Sequence, residues 1–138
     1  MSKLIRSFAC LSLSISLLFG CNKDETDLDY LSRVDVEITD KEGPSEMITE
    51  DESVEELREI FQKIKWDEDD SVQMPRKEDV KATLFLRYNE NEPERLVEYS
   101  ISFHQQDDNR ATIIDHDKEY VGALDQENST RLKEILLK

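Results

Sequence analysis

The chain has 138 residues, of which 37% are charged, and it carries 33 Asp and Glu against 18 Lys and Arg. Its formal net charge at pH 7 is −15. This charge excludes nucleic acid as a partner, because contacts to phosphate need clustered Lys and Arg. An anionic membrane surface would also repel such a domain within about 10 Å at moderate salt. A basic partner or free cations are compatible with it.

The N-terminal residues have the anatomy of an export signal. Lys3 and Arg6 make a short basic start, residues 8–19 form an apolar stretch, and Gly20 and Cys21 follow. A membrane-spanning helix needs roughly 20 consecutive apolar residues, and this stretch is shorter. We therefore expect a signal peptide that is removed, and no permanent transmembrane helix.

The end of this segment resembles the bacterial lipobox. Leu18, Gly20 and Cys21 match its pattern, in which the cysteine sulfur receives a diacylglyceryl group before the chain is cut between Gly20 and Cys21. Phe19 is bulkier than the residue usual there, and an ordinary secretory signal with a chance cysteine is the alternative. Two acyl chains, palmitate among them, give stable membrane anchoring. The sequence thus predicts a lipoprotein held at the cell membrane, facing outside the cytoplasm, with covalent lipid and no other cofactor.

Three parts of the chain follow from this interpretation. We expect a signal peptide over residues 1–20, a lipidated cysteine and polar tether over 21–31, and a single acidic domain over 32–138. Cys10 leaves with the signal and the thiol of Cys21 carries lipid, so no cysteine is left for a disulfide, a thiolate metal site or a nucleophile.

The first part of the domain predicts one strand and one helix. Residues 34–38 alternate apolar and charged side chains, which is typical of a half-buried strand. Ser53 and Glu56 fit a capping box at a helix start. The helix would run to about Lys65 with its apolar side chains on one stripe: Val54, Leu57, Phe61 and Ile64. Trp66 follows and is expected to fold back over the core, with an exposed ligand platform as the alternative.

The second part predicts a meander and a closing helix. Two long alternating segments between residues 80 and 103 flank a loop at 89–93, and two short strands flank residues 115–117. Asp125 or Asn128 would begin the last helix. The fold class predicted from this order is α+β, with a mostly antiparallel sheet of about five strands and two helices packed on one face.

Three segments together resemble the small YhfM-like lipoproteins of Gram-positive spore-forming bacteria, an uncharacterised family. They are residues 64–66 at the end of the first helix, the strand residues 99–103 and the last helix at 132–137. The resemblance implies a membrane-anchored domain of uncharacterised role. It carries over no catalytic or binding residue.

The best metal candidate is an acidic loop. Asp67, Asp69, Ser71 and Glu78 fall at positions 1, 3, 5 and 12 of a calcium-loop spacing. Val72 stands where the sharp turn requires Gly, so a solvated acidic loop is the preferred interpretation and no metal site is predicted.

The two histidines carry no zinc motif. His104 ends a strand, and His116 lies in a turn between Asp115 and Asp117. Carboxylates could orient His116 as a general base, but a tight turn also favours Asp. The turn is the preferred interpretation, and no catalytic residue is predicted.

The function predicted from the sequence is a non-catalytic interaction or accessory domain at the cell envelope, binding an unknown envelope protein or basic partner. Phe85, Leu96 and Trp66 are the candidates for its binding patch, the first two on the sheet face that the helices leave open. A small-molecule or cation-binding lipoprotein is the alternative, and a small hydrolase is the third class. The sequence thus predicts no enzyme.

Overall fold

The computed structural model describes residues 27–67, 77–104 and 109–138. A 3₁₀ turn at Leu28–Tyr30 leads into a sheet whose strands are β1 (Leu31–Ile38), β2 (Glu46–Ile48), β3 (Lys65–Asp67), β4 (Val80–Leu86), β5 (Arg95–Phe103), β6 (Ala111–Asp115) and β7 (Tyr120–Leu124). Two helices accompany them: α1 (Asp51–Gln62) and α2 (Gln126–Leu136).

The seven strands form one antiparallel sheet with the order β2-β1-β4-β5-β6-β7-β3. Strands β4 to β7 follow one another as a meander, whereas α1 connects one edge of the sheet to the other, since β2 lies at the first edge and β3 at the opposite one. Strand β5 is therefore the middle strand. It pairs with β4 over seven positions and with β6 over five.

Alternation along β5 divides the sheet into two faces. Val97, Tyr99, Ile101 and Phe103 are buried on the helix side, with the even-numbered residues between them on the other side, which we call the open face. Strand β4 repeats the pattern, because its helix-side residues are also fully buried: Val80, Ala82, Leu84 and Leu86.

Both helices cover the same face of the sheet. Phe61 of α1 meets the ring of Tyr99 edge-on, with ring centroids 5.4 Å apart, and Lys133 of α2 lies over Phe103. The apolar stripe of α1 is buried as the sequence predicts, and so is that of α2; together they are Val54, Leu57, Ile60, Phe61, Leu132, Ile135 and Leu136. The prediction of an α+β fold with two helices on an antiparallel sheet is thus confirmed.

Trp66 extends this packing to the far edge of the sheet. It is half-buried against the core, and its ring centroid lies 5.5 Å from that of Tyr99. Gly122 makes room for it, because a Cβ there would come within 2.4 Å of Ile64 Cγ2 and 2.7 Å of Trp66 Cε3. The strand β7 therefore needs glycine at this position.

The strand number predicted from the sequence is too low. The sheet has seven strands, and the two that the sequence misses are β2 and β3, each only three residues long. A two-residue alternation cannot be recognised over three positions, so only the sheet that they extend defines these strands. The turn of the chain into β3 also ends α1 earlier than Lys65.

The capping box predicted at Ser53 is wrong. Helix α1 begins at Asp51 with Glu50 as its N-cap residue, and no side chain caps it by a hydrogen bond. Asp51 and Glu52 lie in its first turn, where negative charge is favoured by the helix dipole. Leu28 is buried in the core and Leu31 begins β1, so the folded part starts within the stretch predicted as tether.

In the parts of the chain that the structure describes, neither helix is long and apolar enough to cross a membrane.

Replacement of Phe61 by Ala should lower the free energy of unfolding by about 3–5 kcal/mol, because it leaves a cavity against Tyr99. Phe61 is 1% exposed, so little relaxation can fill that space. Denaturant unfolding measures the effect, with Phe61→Leu as the milder control. A loss below about 1 kcal/mol would contradict the packing described.

The cap of α2 should make stability depend on pH. Asp125 Oδ1 accepts the backbone N–H of Asn128 at 2.8 Å, which lowers the carboxyl pKa from its ordinary 3.8. The cap stabilises the fold above that value and is lost as pH falls through the lowered pKa. At neutral pH, Asp125→Ala should cost about 1 kcal/mol of unfolding free energy.

The difference in stability between wild type and Asp125→Ala should shrink on acidification. Asp125→Asn is the matched control, since Asn caps helices about as well as Asp and does not titrate. A wild-type advantage over Ala that stays constant down to about pH 2 would contradict the assignment.

Candidate functional site

Both histidines of the chain face hydroxyl side chains of the strand pair β5–β6. Together with a serine between them they form what we call the histidine stripe, which runs along the open face: Ser100, Ser102, His104, Thr112 and His116. Ser102 lies opposite Thr112 in the register, and Ser100 lies opposite Ile114. The stripe therefore has an imidazole at each end and hydroxyls between.

The first pair joins Ser100 and His116. The distance from Ser100 Oγ to His116 Nε2 is 2.6 Å, a short hydrogen bond. Ser100 is 4% exposed, whereas the imidazole is exposed to solvent. A hydroxyl within hydrogen-bond reach of an imidazole is the arrangement of an activated nucleophile and its base.

A tight turn holds His116 in this position. The Asp115 carboxylate is buried, and its Oδ1 accepts the backbone N–H groups of Asp117 at 2.9 Å and Lys118 at 3.2 Å. The backbone N–H of His116 donates to the carbonyl of Glu98 at 3.1 Å. The imidazole thus extends from a turn that is held by hydrogen bonds within the turn and by one hydrogen bond to β5.

A second link ties the turn to the start of β5. The Arg95 guanidinium donates to Asp117 Oδ2 at 2.8 Å, and the carboxylate raises the pKa of Arg95. Both side chains are about half exposed, so this ion pair adds little stability. It nevertheless joins the turn to the first residue of β5.

The second pair joins His104 and Thr112. His104 Nε2 lies 2.6 Å from Thr112 Oγ1, and the His104 backbone N–H donates to the carbonyl of Arg110 at 2.8 Å. These bonds fix the imidazole at the end of β5. Which nitrogen carries the proton depends on whether the threonine hydroxyl donates or accepts.

A pocket of about 190 Å³ opens at the end of β5 where His104 lies. It lies between the end of β5 and helix α2, and the described residues that line it are Phe103, His104, Asn109, Ser129, Thr130 and Lys133. Pockets for drug-sized ligands measure about 300–1,000 Å³, so this one suits a small molecule or one end of a larger one.

Lys81 is the cation that the register places beside Ser100. The two residues are paired between β4 and β5, and both lie on the open face. Side chains directly opposite one another have Cβ atoms about 4.5–5.5 Å apart. The ammonium is half exposed and lies 3.8 Å from Glu78 Oε1, an ion pair too long to hold it in one place.

The binding-patch candidates from the sequence separate in the structure. Phe85 and Leu96 are paired across β4 and β5 on the open face, and the Arg33 guanidinium covers the Phe85 ring at 3.7 Å. Leu96 is 54% exposed. Trp66 belongs to the helix side at the far edge of the sheet, packed on Tyr99, and lies apart from the other two.

Other predicted positions fall outside the described residues. Gly20 and Cys21 lie there, and so do Asp69 and Ser71 of the acidic loop. Over residues 27–67, 77–104 and 109–138, no group of three His, Cys, Asp or Glu side chains could hold a metal ion.

Sequence reasoning placed His116 in its turn but missed its partner. Ser100 lies 16 positions earlier, so only the pairing of β5 with β6 brings it to the imidazole. The alternation that puts residues 100, 102 and 104 on one face was visible, and a search for hydroxyls there would have found this candidate.

Comparison with known proteins gives one useful likeness. No family model and no curated protein matches the chain. Among solved structures, the fold is similar to the crystal structure of a thioesterase-like protein from Clostridium sporogenes, with a TM-score of 0.55 and 19% sequence identity. The match covers 78% of this chain and 95% of that one. The likeness is thus one of overall fold.

This likeness corrects two predictions from the sequence. The chain was expected to be a non-catalytic interaction or accessory domain and no enzyme. Its fold is instead similar to that of a protein described as thioesterase-like. The expectation failed because it relied on local motifs, whereas the candidate pairs are assembled across strands.

Proposed function

We propose that this protein is a small hydrolase that cleaves an ester or thioester bond at Ser100 and His116. The observation that carries the proposal is the 2.6 Å hydrogen bond between Ser100 Oγ and His116 Nε2 on the open face of the sheet. The similarity to a thioesterase-like protein supports the choice of an acyl bond as the one that is cleaved. The proposal replaces the non-catalytic function expected from the sequence.

The reaction follows from the two side chains. The Ser100 hydroxyl attacks the carbonyl carbon of the substrate while His116 Nε2 takes the hydroxyl proton. The bond from carbonyl carbon to the leaving oxygen or sulfur then breaks, and His116 gives its proton to the leaving group. Water attacks the resulting acyl ester of Ser100 with His116 again as base, releasing a carboxylic acid and restoring the hydroxyl.

Lys81 is the group that we assign to the developing negative charge. The register places it beside Ser100 on the same face, where its ammonium can approach the carbonyl oxygen of a bound substrate. A cation aimed at the oxygen that becomes negative lowers the barrier more than it strengthens binding of the ground state. The loose pairing of Lys81 with Glu78 leaves it free to do so.

The charge of the chain restricts the substrate. With 33 acidic side chains against 18 basic ones, the surface field repels polyanions on approach. Neutral or cationic acyl compounds are therefore favoured as substrates.

An exposed His116 also means that protons exchange directly with solvent at each turnover.

Replacement of either member of the pair should abolish most hydrolysis. We expect Ser100→Ala and His116→Gln each to lower kcat/KM by about 100-fold or more on short-chain 4-nitrophenyl esters or the matching thioesters. Steady-state kinetics on the purified full chain measures this, with thermal unfolding to confirm that each variant folds.

Ser32→Ala is the matched control. Ser32 Oγ also makes a hydrogen bond in the sheet, to the carbonyl of Phe85 at 3.1 Å, but contacts no imidazole. Its kcat/KM should equal that of the wild type. Wild-type rates in folded Ser100→Ala would contradict the proposed nucleophile, and a wild type that hydrolyses neither ester nor thioester would contradict the function itself.

We further propose that the hydrolase works at the outer face of the cell membrane, held by lipid on Cys21, like the YhfM-like lipoproteins that its sequence resembles. The lipobox pattern at Leu18, Gly20 and Cys21 supports this location. Two acyl chains would supply the anchor at about 0.8 kcal/mol per buried methylene. The acidic domain would stand off from an anionic lipid surface.

Cys21→Ala should release the protein from the membrane or leave its signal uncut, because no thioether to lipid can form. Membrane fractionation and intact mass of the cell-borne protein measure the two effects. Cys10→Ala is the matched control and should stay anchored, since the expected cut removes that residue. Unchanged membrane retention of Cys21→Ala would refute the lipid anchor.

A further inference from the structure

Two tyrosines pack on each other at the surface, at one end of the sheet. Tyr30 closes the 3₁₀ turn before β1, Tyr88 follows β4 by two residues, and their ring centroids are 4.7 Å apart. The backbone N–H of Arg87 donates to the carbonyl of Tyr30 at 2.9 Å, so the two rings extend from neighbouring strands. They are 43% and 39% exposed, which leaves much of each ring in contact with water. We call Tyr30 and Tyr88 the tyrosine pair.

The start of the domain is fixed beside this pair. Leu28 is 7% exposed in the core, and the Arg58 guanidinium donates to the carbonyls of Leu28 and Leu31 at 2.9 Å each. Cys21, the expected lipid site, lies seven residues before Leu28 (28 minus 21). An extended chain spans at most about 3.6 Å per residue, so this connection reaches no further than about 25 Å. A lipid on Cys21 would thus keep the tyrosine pair close to the bilayer surface.

So short a connection makes even a weak contact with lipid significant. When two binding groups are joined by a short linker, the second one has an effective concentration in roughly the millimolar range. Tyrosine side chains are enriched where a bilayer meets water, because the ring is apolar while the hydroxyl stays in contact with water and headgroups. The tyrosine pair has this chemistry, and its place at the start of the domain brings it to that interface.

The charges around the pair decide which kind of lipid surface it fits. Arg87 and Arg95 lie next to it in the β4–β5 hairpin, but each is already in an ion pair with an acid, Glu94 and Asp117 respectively. Further acids nearby are Asp29 of the 3₁₀ turn and Glu90 and Glu92 of the hairpin loop. Anionic headgroups would therefore be repelled from this end of the sheet within about 10 Å at moderate salt. A lipid surface without net charge is favoured.

We propose that the tyrosine pair inserts into the headgroup region of an uncharged lipid surface and thereby orients the domain on the membrane. The inference rests on the proposed lipid anchor at Cys21 and does not depend on the hydrolase activity. The contact turns the opposite end of the sheet away from lipid. Trp66 lies at that end, because the register places it level with Val80, the first residue of β4, whereas Tyr88 lies beyond the last one.

Quenching of tryptophan fluorescence by bromine on the lipid chains tests the contact. The lipidated protein is placed in phosphatidylcholine vesicles, with or without acyl chains brominated near the headgroup. Trp66 is the single tryptophan of the chain, so Tyr30→Trp and Tyr88→Trp are each made in a Trp66→Phe background. Both variants should lose most of their emission to the brominated lipid. Wild-type Trp66 should keep its emission in the same vesicles.

Met47→Trp in the same background is the matched control. Met47 is 62% exposed, more than either tyrosine, and lies in the edge strand β2. It pairs with Asp35, which is five residues beyond Tyr30 (35 minus 30), or about 17 Å along a strand. Its emission should therefore be little changed, and thermal unfolding confirms that each variant folds. Equal quenching at Met47→Trp and at the tyrosine pair would overturn the proposed orientation.

The intact mass of the reconstituted protein separates failure of the anchor from failure of the contact. A mass without lipid on Cys21 would refute the anchor and this contact with it. A lipidated chain in which neither Tyr30→Trp nor Tyr88→Trp is quenched would refute the contact alone. In vesicles that also contain phosphatidylglycerol, quenching should be weaker at low salt and recover as salt is added. Stronger quenching there at low salt would overturn the choice of an uncharged surface.

Discussion

The middle strand β5 contributes apolar side chains to the core on one face of the sheet and polar side chains to the open face. The positions of the helices and of the candidate site both depend on this alternation. On the helix side, Tyr99 lies between Phe61 of α1 and Trp66 of β3, which joins the first helix, the central strand and the far edge of the sheet. The next residue, Ser100, points to the open face, because successive side chains of a strand alternate between the two faces. A register slip of one residue would exchange these faces and place hydroxyls in the core, so the packing of Tyr99 fixes where Ser100 lies.

The polar face is constrained by the same physics. Ser100 is almost fully buried, and a buried hydroxyl without a partner costs about 1–3 kcal/mol. Its bond to His116 therefore stabilises the sheet, and in the proposed mechanism the same bond prepares the hydroxyl for attack. The buried Asp115 carboxylate also has two roles. It closes the turn by accepting two backbone N–H groups, and the closed turn orients the imidazole of His116. In the proposed mechanism, stability and reactivity therefore depend on the same hydrogen bonds, and these bonds need no local sequence motif.

The sequence predicted the long elements because their periodicities are long enough to recognise. Alternation in β4 and β5 and the apolar stripe of α1 indicated an α+β fold, and the cap at Asp125 was among the two proposed. The edge strands β2 and β3 were missed because three residues show no period. The candidate site was missed for another reason, which is that the hydroxyl and its base meet only through strand pairing. In addition, a tight turn was enough to explain the acidic neighbours of His116, so no catalytic role was assigned to it.

We propose that the hydroxyl of Ser100 is nucleophilic because His116 can take its proton. The most direct measurement is treatment of the full chain with a fluorophosphonate, followed by mass spectrometry of the digested protein. A single adduct on Ser100, absent in Ser100→Ala and formed much more slowly in His116→Gln, is the predicted result. An unlabelled Ser100, or labelling at the same rate without His116, would show that the pair is a structural hydrogen bond and contradict the account.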